Sequence, residues 1–329
     1  METPSVCVVI VTYGNREKLL KSVVSGLCEQ TVSIKNLVIV SNGSSCDFEF
    51  SGLRFPVEVV CYSENKGTAV AYQAGLRKAV DLGVEFIWLL DDDNRPQKDA
   101  LHVLLSFYFS LRANFKMDDI ALLSRRVTPD GHDRPLRNVR NNEFLGFHLL
   151  DLVKIGNKVL GRSANLYESG LMRVDAAPYG GLFVPVCVVR KIGYPCKDFY
   201  LYEDDAEWTS RISKNGGHIF LCYKSVINEL ECSWWMRFRR KINYFMDPES
   251  PPASVYYGAR NRVYLDKSVS DSRLMFFVNG LIRIFFIIVN GFFYSKDYLS
   301  LVQRIRIFIV AVWKGYCGHL GIDRNFSLR

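Results

Sequence analysis

The chain has 329 residues, a formal net charge of +8, 49% hydrophobic residues and 23% charged residues. This is an ordinary globular balance with room for one large or two modest domains, and the absence of internal repeats and biased tracts excludes a repeat or low-complexity protein. In the C-terminal third, "WWMRFRRK" and "QRIRIF" set basic residues beside aromatic or apolar ones. Such clusters indicate either attraction to anionic lipid or phosphate, or chance clustering on a soluble surface.

The cysteines number nine, and none lies in a CxxC pair. Neither zinc spacing nor a disulfide framework is indicated, so the cysteines are expected to be unpaired, and several that lie in apolar runs are expected to be small core residues. The N-terminus "METPSVCVVIVTYGN" has no basic segment followed by an apolar stretch and a cleavage site. Both observations favour the cytoplasm.

The first third of the chain alternates strand and helix signals. Continuous β-branched runs predict strands at 6–13, 37–41, 57–63 and 85–90, and helical periodicity predicts helices at 16–30, 67–83 and 97–112. This order predicts an α/β fold with a mainly parallel sheet and helices on both faces. Ligands of such sheets bind beyond the carboxyl ends of the strands.

The rest of the chain is less regular. Residues 125–178 are expected to be loops and short elements, and 180–195 a strand followed by a short helix. The segment "YEDDAEW" opens a further helix that ends at "NGG", and the tail from Ser270 is the most hydrophobic part. Residues 276–294 contain a single charge, Arg283.

Three aspartates end the fourth predicted strand, in "FIWLLDDDNRP". Alternate residues of an extended segment point the same way, so Asp91 and Asp93 are expected to share one side while Asp92 points away. Hard oxygen ligands suit Mg²⁺ or Mn²⁺. The alternative is a solvated acidic loop that caps the following helix.

A second acidic cluster lies at Glu203, Asp204, Asp205 and Glu207. A carboxylate crowded by like charges has a raised proton affinity, which suits a general base. The alternative is simple charging of a helix N-terminus. Glu207 and Arg211 are spaced as a structural ion pair. Paired histidines, a P-loop and a G-x-S-x-G elbow do not occur in the sequence.

From about residue 5 to 265, the chain resembles the family-2 glycosyltransferases of the GT-A fold. The resemblance lies in the order of "VIVTYGNREKL", "LVIVSNGSS", "ENKGTAVAYQAGL", "WLLDDDNRP" and "GGLFVPVCVVRKIGY…YEDDAEWTSRI". A later segment, "VYYGARNRVYL", resembles the aromatic–Arg–Asn–Arg stretch of the galactofuranosyltransferase and rhamnosyltransferase branches. The triple aspartate and this late motif together look most like the galactofuranosyltransferases.

The resemblance implies a sugar-nucleotide donor, Mn²⁺ or Mg²⁺, and inversion at the anomeric carbon. It implies that Asp93 and Asp91 ligate the metal, and that Asp205 is the catalytic base with Asp204 next in line. The implied donor-binding residues are Thr12, Tyr13, Asn15, Arg16, Asn42, Asn65, Gly67, Asp91 and Asp92.

The sequence departs from the family pattern at two places. Ser41 stands where many members have an aspartate, which weakens any inference about base recognition. Asn228 stands where many have a metal-binding histidine, with Glu229 beside it. One of these two could replace the histidine, the metal could have fewer protein ligands, or the enzyme could depend little on metal.

The predicted organisation is a GT-A domain at 1–265, with a donor half to about 125 and an acceptor half from 126, and a helical region at 266–329. The apolar tail with its interspersed basic residues predicts amphipathic helices lying on a membrane; a buried core or dimer interface and a membrane span are the alternatives.

The predicted function is transfer of galactofuranose from UDP-galactofuranose to a lipid-linked glycan. The setting implied by the resemblance is bacterial O-antigen, lipopolysaccharide or capsule synthesis at the cytoplasmic face of the plasma membrane, without nucleic acid as a partner. A donor of dTDP-rhamnose or a pyranose sugar is the alternative within the class. A sugar nucleotidyltransferase, the alternative of another class, should have a glycine-rich basic loop after the first strand. The segment "TYGNREKL" at that position is not such a loop. A membrane-attached binding module would not need both acidic clusters.

Overall fold

The computed structural model describes residues 4–50, 52–115, 119–136, 139–149, 170–231 and 241–326. The chain divides into two compact units. The sheet unit comprises Met1–Arg137, Asn165–Cys196 and Asp205–Cys232, and the helical unit comprises Asn138–Ala164, Lys197–Asp204 and Ser233–Arg329. Basic segment "WWMRFRRK" lies almost wholly outside the described residues.

The sheet unit contains a nine-stranded mixed sheet of order β3-β2-β1-β4-β8-β6-β9-β5, with β7 paired to β9. Strands β1 to β4 and β6 run parallel, β8 lies antiparallel between β4 and β6, and β9 is parallel to β6. The carboxyl ends of β1, β2, β4, β6 and β9 therefore share one edge. The strands are β1 Val6–Thr12, β2 Asn36–Asn42, β3 Val57–Tyr62, β4 Phe86–Asp91, β5 Asn94–Pro96, β6 Ile120–Val127, β7 Leu171–Val174, β8 Leu182–Pro185 and β9 His218–Glu229.

Helices cover both faces of this sheet, which confirms the predicted α/β architecture. They are α1 Glu17–Cys28, α2 Thr68–Asp81, α3 Ala100–Phe115, α4 Val186–Ile192 and α5 Asp204–Lys214. Strand β1 shows why both faces are covered: all seven of its residues are buried. Val8 and Ile10 pack with α1 and α3, whereas Val9 packs with α2, α4 and α5. A strand without an exposed face needs a helix layer on each side.

Several features of the sheet unit were not predicted from the sequence, among them strands β5, β6 and β9. Strand β6, "IALLSRRV", begins before residue 125 and ends inside the region expected to be mostly loops and short elements. The expectation of unpaired cysteines is also wrong at one place, because Cys46 and Cys61 form a disulfide. Cys61 lies on β3, and Cys46 lies in the segment that connects β2 to it.

The helical unit is built from α6 Pro252–Ser268, α7 Arg273–Tyr294 and α8 Tyr298–Cys317. Tyr256, Phe276 and Phe308 belong to its own apolar core. Helices α6 and α8 approach closely at Gly315, where an added Cβ would lie 2.2 Å from the carbonyl oxygen of Arg260. Any larger residue there would push the two helices apart. The predicted division of the domain into donor and acceptor halves stays a prediction.

Candidate active site

Asp92 is the buried member of the aspartate triplet, with 3% of its surface exposed. Its Oδ2 accepts a hydrogen bond from the Thr12 hydroxyl at 2.7 Å, and its Oδ1 accepts one from Arg16 Nε at 2.8 Å. A buried carboxylate needs such partners. Asp92 therefore fastens the end of β1 and the start of α1 to the end of β4.

Asp91 and Asp93 are the more accessible members, with side chains 35% and 18% exposed. Asp91 Oδ1 accepts from the Tyr72 hydroxyl at 2.6 Å, and its Oδ2 lies 3.1 Å from Arg126 Nη1. Asp93 accepts from the Asn94 amide at 2.8 Å. Burial, and then the charge of Asp91, raise the pKa of Asp93 to about 7. Arg16, whose Nη2 lies 3.6 Å from Asp93 Oδ2, is shared with Asp92, so the three aspartates outnumber the two arginines, Arg16 and Arg126, that pair with them.

Glu229 joins this cluster through two arginines. Arg126 Nη2 and Arg134 Nη1 lie 2.8 Å and 2.5 Å from its Oε1. The Glu229 side chain is fully buried, and its Oε2 has no hydrogen-bond partner among the described residues. Arg126 therefore bridges Asp91 and Glu229.

Asn228, the other candidate replacement for the family histidine, precedes Glu229 on β9. Successive residues of a strand point to opposite faces, so Asn228 and Glu229 cannot both face the acidic cluster. Glu229 lies close to Asp91, because Arg126 forms ion pairs with both carboxylates. Glu229 is thus the member of this pair that joins the aspartates.

The described parts of the chain contain no group of three or more His, Cys, Asp or Glu side chains arranged to hold a metal ion. The donor chemistry of Asp91 and Asp93 still fits a hard divalent cation, because Mg²⁺ takes one or two carboxylates and completes its shell with phosphate and water. Burial is the main cause of the raised pKa of Asp93, and a bound cation would offset the negative charge that it shares with Asp91. Besides Asp91 and Asp93, Glu229 offers one more carboxylate oxygen, Oε2, which has no hydrogen-bond partner among the described residues.

The predicted nucleotide-side residues form two groups. Asn42, Asn65 and Gly67 are brought together: the Asn42 amide donates to Asn65 Oδ1 at 3.0 Å, and Asn65 Oδ1 also accepts from the Gly67 amide at 2.9 Å. Gly43 is required beside them, because it has φ +79° and an added Cβ would lie 2.6 Å from Asn65 N. This group forms a polar wall where β2 ends and α2 begins.

Tyr13, Asn15 and Arg16 follow β1 in the second group. Tyr13 is 51% exposed, and the Arg16 guanidinium lies 5.1 Å from its ring centroid. Arg16 also pairs with Glu231 at 2.7 Å. Ser41, where the family often has aspartate, is buried. Its hydroxyl oxygen lies 2.8 Å from the Ser45 carbonyl oxygen, to which it can donate, and 2.8 Å from the Ser44 hydroxyl, from which it can accept.

The second acidic cluster opens α5. Asp204 is 3% exposed, whereas Asp205 is partly exposed and its Oδ1 accepts from the Ala206 amide at 2.7 Å. The predicted pair of Glu207 and Arg211 is confirmed at 2.7 Å. Carboxylates at this end of a helix are favoured by the helix dipole.

An aromatic stack runs from α2 to α5. The Tyr72 and Tyr179 rings lie 4.0 Å apart, and the Tyr179 and Trp208 rings 5.9 Å apart. Trp208 Nε1 donates to the Gly193 carbonyl at 2.8 Å. The helix that carries Asp205 is therefore linked through the Tyr179 ring to Tyr72, the tyrosine that binds Asp91.

Sequence reasoning missed Tyr72, Tyr179, Arg126 and Arg134. Tyr72 and Tyr179 carried no local signal beyond ordinary core periodicity. Arg126 did have a local signal, because it is the second-last residue of strand β6 and the carboxyl end of that strand lies at the ligand-binding edge. The signal was not used, because β6 was not predicted. Gly180 was missed as well: an added Cβ would lie 2.4 Å from Asp91 Oδ2 and 2.5 Å from Arg126 Nη1.

The fold is of the GT-A type. The structure is similar to that of S. aureus TarS residues 1–349, with a TM-score of 0.51 and 15% identity over 94% of this chain and 81% of that one. The complex of TarS 1–349 with UDP-GlcNAc gives the same TM-score, identity and coverage. These likenesses concern the fold.

The sequence comparisons identify the family. The model for glycosyl transferase family 2 matches residues 7–162. Galactofuranosyltransferase GlfT1 of Mycolicibacterium smegmatis is 33% identical over 218 residues, which is 65% of this chain and 67% of that protein. The chain belongs to glycosyl transferase family 2, and the protein is a glycosyltransferase.

Proposed function

We propose that the protein transfers galactofuranose from UDP-galactofuranose to a lipid-linked glycan during synthesis of a bacterial surface polysaccharide. The observation that carries the proposal is the Asp91–Asp93 pair at the carboxyl edge of the sheet, with the pKa of Asp93 raised to about 7 by burial and by Asp91. A site with surplus negative charge suits a cation-bound diphosphate. The sugar is inferred from the relative GlfT1, named a galactofuranosyltransferase.

On the donor side, we assign the nucleotide to the polar wall of Asn42, Asn65 and Gly67 and to the exposed ring of Tyr13. Asp93 and Asp91 would hold Mn²⁺ or Mg²⁺. When bound, that cation would offset the charge of the departing diphosphate. Asp92 acts indirectly, because its contacts with Thr12 and Arg16 fix the strand end that carries the pair.

On the acceptor side, we assign Asp205 as the general base. It would accept the proton of the acceptor hydroxyl while that oxygen attacks the anomeric carbon. The bond between this carbon and the diphosphate oxygen then breaks on the opposite face, and the configuration inverts. Asp205 suits this role better than Asp204 because it is the more exposed of the two carboxylates.

The test is a transfer assay with the purified full chain. UDP-galactofuranose, UDP-galactopyranose, UDP-GlcNAc and dTDP-rhamnose are each supplied with Mn²⁺ or Mg²⁺ and a lipid-linked saccharide, and glycan extension is followed by mass spectrometry. The expected result is extension by a hexose from UDP-galactofuranose. Extension only from dTDP-rhamnose, or only from a pyranose donor, would replace the proposed sugar, and no extension from any donor that binds would overturn the proposal.

The proposal includes contact with a membrane surface through the helical unit. On α7, the residues Leu274, Phe277, Leu281 and Phe285 recur at helical spacing and are all exposed. Exposed apolar residues also line α8, among them Val302, Ile309, Val310, Trp313 and Tyr316. Large apolar patches of this kind mark interaction sites.

An interfacial position suits these helices better than a span. Helix α7 is long and apolar enough to cross a membrane by length and composition. However, Arg283 lies near its middle and Asn279 is buried in its packed face. On α8, the exposed Arg306 lies one helical turn from the exposed Val302 and Val310, and the exposed Trp313 lies two turns further along. Basic and aromatic residues mixed with apolar ones favour the anionic interface of a bilayer, and we infer a peripheral location at the cytoplasmic face of the plasma membrane.

A further inference from the structure

The segment that leads into the second acidic cluster has an unusual backbone. Tyr200, Tyr202 and Glu203 have φ values of 61°, 65° and 63°. Side chains with a Cβ rarely adopt this left-handed conformation, so three within four positions need support from their surroundings. The segment, here called the left-handed turn (residues 199–203), is directly followed by Asp204 and Asp205.

That support comes from Asn261 on α6, which is fully buried. Its Nδ2 lies 2.8 Å, 2.7 Å and 2.9 Å from the carbonyl oxygens of Phe199, Leu201 and Tyr202. Buried carbonyls without a donor are costly, so a single amide satisfies much of the turn.

The two arginines that flank Asn261 complete the contact. Arg260 Nε donates to Asn261 Oδ1 at 2.9 Å, which fixes the amide with its nitrogen toward the turn. Arg262 donates to Asp266 at 2.7 Å and lies 3.6 Å from Glu203. The Tyr202 hydroxyl is 2.9 Å from that of Ser254, also on α6.

We infer that the Arg260–Asn261–Arg262 motif is a positioning device for the catalytic base: it holds the left-handed turn in the one conformation that presents Asp204 and Asp205 at the start of α5. The inference rests on the proposed transfer reaction and adds residues to it. The contacts described above join the motif to the carbonyl oxygens of Phe199, Leu201 and Tyr202 and to Glu203, the backbone segment that leads into the proposed base. We therefore assign the motif a positioning role that acts through the backbone.

A matched control lies in the same unit. Asn279 on α7 is also fully buried and also bonds backbone groups, since its Nδ2 donates to the Asn142 carbonyl at 2.8 Å and its Oδ1 accepts from the Leu149 amide at 2.9 Å. It connects residues 142 and 149 and, among the described residues, makes no hydrogen bond to the left-handed turn. A purely structural role for Asn261 predicts equal effects of the two substitutions on activity.

The experiment compares Asn261→Ala with Asn279→Ala in the full chain, in an assay where the unchanged protein transfers sugar. We expect Asn261→Ala to lower kcat by about 100-fold, the effect of displacing a catalytic group by about 1 Å. The dissociation constant of the sugar nucleotide should change less than about twofold, because the donor-side carboxylates stay in place. Asn279→Ala should keep kcat within about threefold at a similar loss of thermal stability.

Equal losses of kcat in the two variants, or a loss of donor affinity equal to the loss of kcat in Asn261→Ala, would overturn the inference. If Asn261→Ala does not fold, Asn261→Ser, which keeps one donor, takes its place with a smaller expected loss of kcat and the same comparison. Failure of the unchanged protein to transfer any sugar would instead overturn the proposed function, so the two failures are distinguishable.

Discussion

The hydroxyl of Tyr72 donates a hydrogen bond of 2.6 Å to Asp91 Oδ1. Tyr72 is 2% exposed, and burial followed by the charge of Asp91 raises its pKa well above the usual value. The phenol therefore stays protonated and remains a donor throughout the working pH range. This hydrogen bond fixes the Asp91 carboxylate of the proposed cation site, and the Tyr72 ring stacks on Tyr179.

Tyr72→Phe removes this hydrogen bond but keeps the ring stack. Hydrogen bonds to charged groups contribute about 1.5–3 kcal/mol, so we expect donor affinity in the presence of Mn²⁺ to fall by about tenfold or more. Isothermal titration with the sugar nucleotide measures this. Tyr108→Phe, at a buried tyrosine in the core on the opposite face of the sheet, is the control and should leave affinity unchanged. Equal affinity of Tyr72→Phe and the unchanged protein would contradict the assignment.

Cation binding should depend on pH through Asp93. Its pKa is raised to about 7, so the carboxyl holds a proton below that pH and a cation must displace it. The apparent affinity for Mn²⁺ should rise by about tenfold per pH unit up to about 7 and then level off. Titrations followed by electron paramagnetic resonance measure this, and Asp93→Ala should bind Mn²⁺ and donor weakly at every pH. A flat profile in the unchanged protein would contradict the role of Asp93.

Asp205→Asn should abolish transfer and leave donor binding intact. The amide cannot accept the proton of the acceptor hydroxyl, and general base catalysis contributes about 10²- to 10⁴-fold. Single-turnover transfer and a donor titration on the same sample separate the two effects. Glu207→Gln is the control, because Glu207 is already paired with Arg211. Near-normal turnover of Asp205→Asn would show that another residue is the general base.

Arg126→Gln should destabilise the protein. It removes one of the two guanidinium partners of the buried Glu229 and a contact with Asp91, and breaking a buried ion pair costs about 3–5 kcal/mol. Urea unfolding measures the change. Adding Glu229→Gln to this variant should recover part of the lost stability, because the substitution removes the buried negative charge that Arg126 no longer offsets. Lys191→Gln, which breaks an exposed pair with Asp119, should cost no more than about 1 kcal/mol.

Membrane contact should depend on the exposed face of α7 and α8. Phe285→Ser and Trp313→Ala, both at well-exposed positions, should each lower binding to vesicles that contain phosphatidylglycerol. Added salt should weaken binding further if Arg306 contributes. Co-sedimentation measures both effects. Phe109→Ser, at an exposed residue on α3, is the control, and unchanged binding of all three variants would exclude this face.

The strands and helices around the site could largely be predicted from the sequence, because their signals are local. Strand β4 is a continuous apolar run, and its acidic end lies at the ligand edge as soon as the sheet is parallel. The same holds for the acidic start of α5. Strand β6 escaped prediction, and with it the position of Arg126.

The partners of the acidic residues could not be predicted, because the contacts join distant parts of the chain. Arg126 meets Glu229 across 103 positions, and Asn261 meets the carbonyl of Phe199 across 62. The cysteine pair Cys46–Cys61 is closer in sequence, but it depends on how the connection between β2 and β3 folds back.

By itself, therefore, the sequence determined the α/β order, the two acidic clusters and the family, since hydrophobic periodicity and motif order are written along the chain. Only the tertiary structure decided how closely each carboxylate is paired and how strongly its pKa is shifted. Arg16 lies 2.8 Å from Asp92 but 3.6 Å from Asp93, and burial raises the pKa of both aspartates, that of Asp93 to about 7. That difference arises from burial and from charges brought together by folding, and neither can be read from neighbours in sequence.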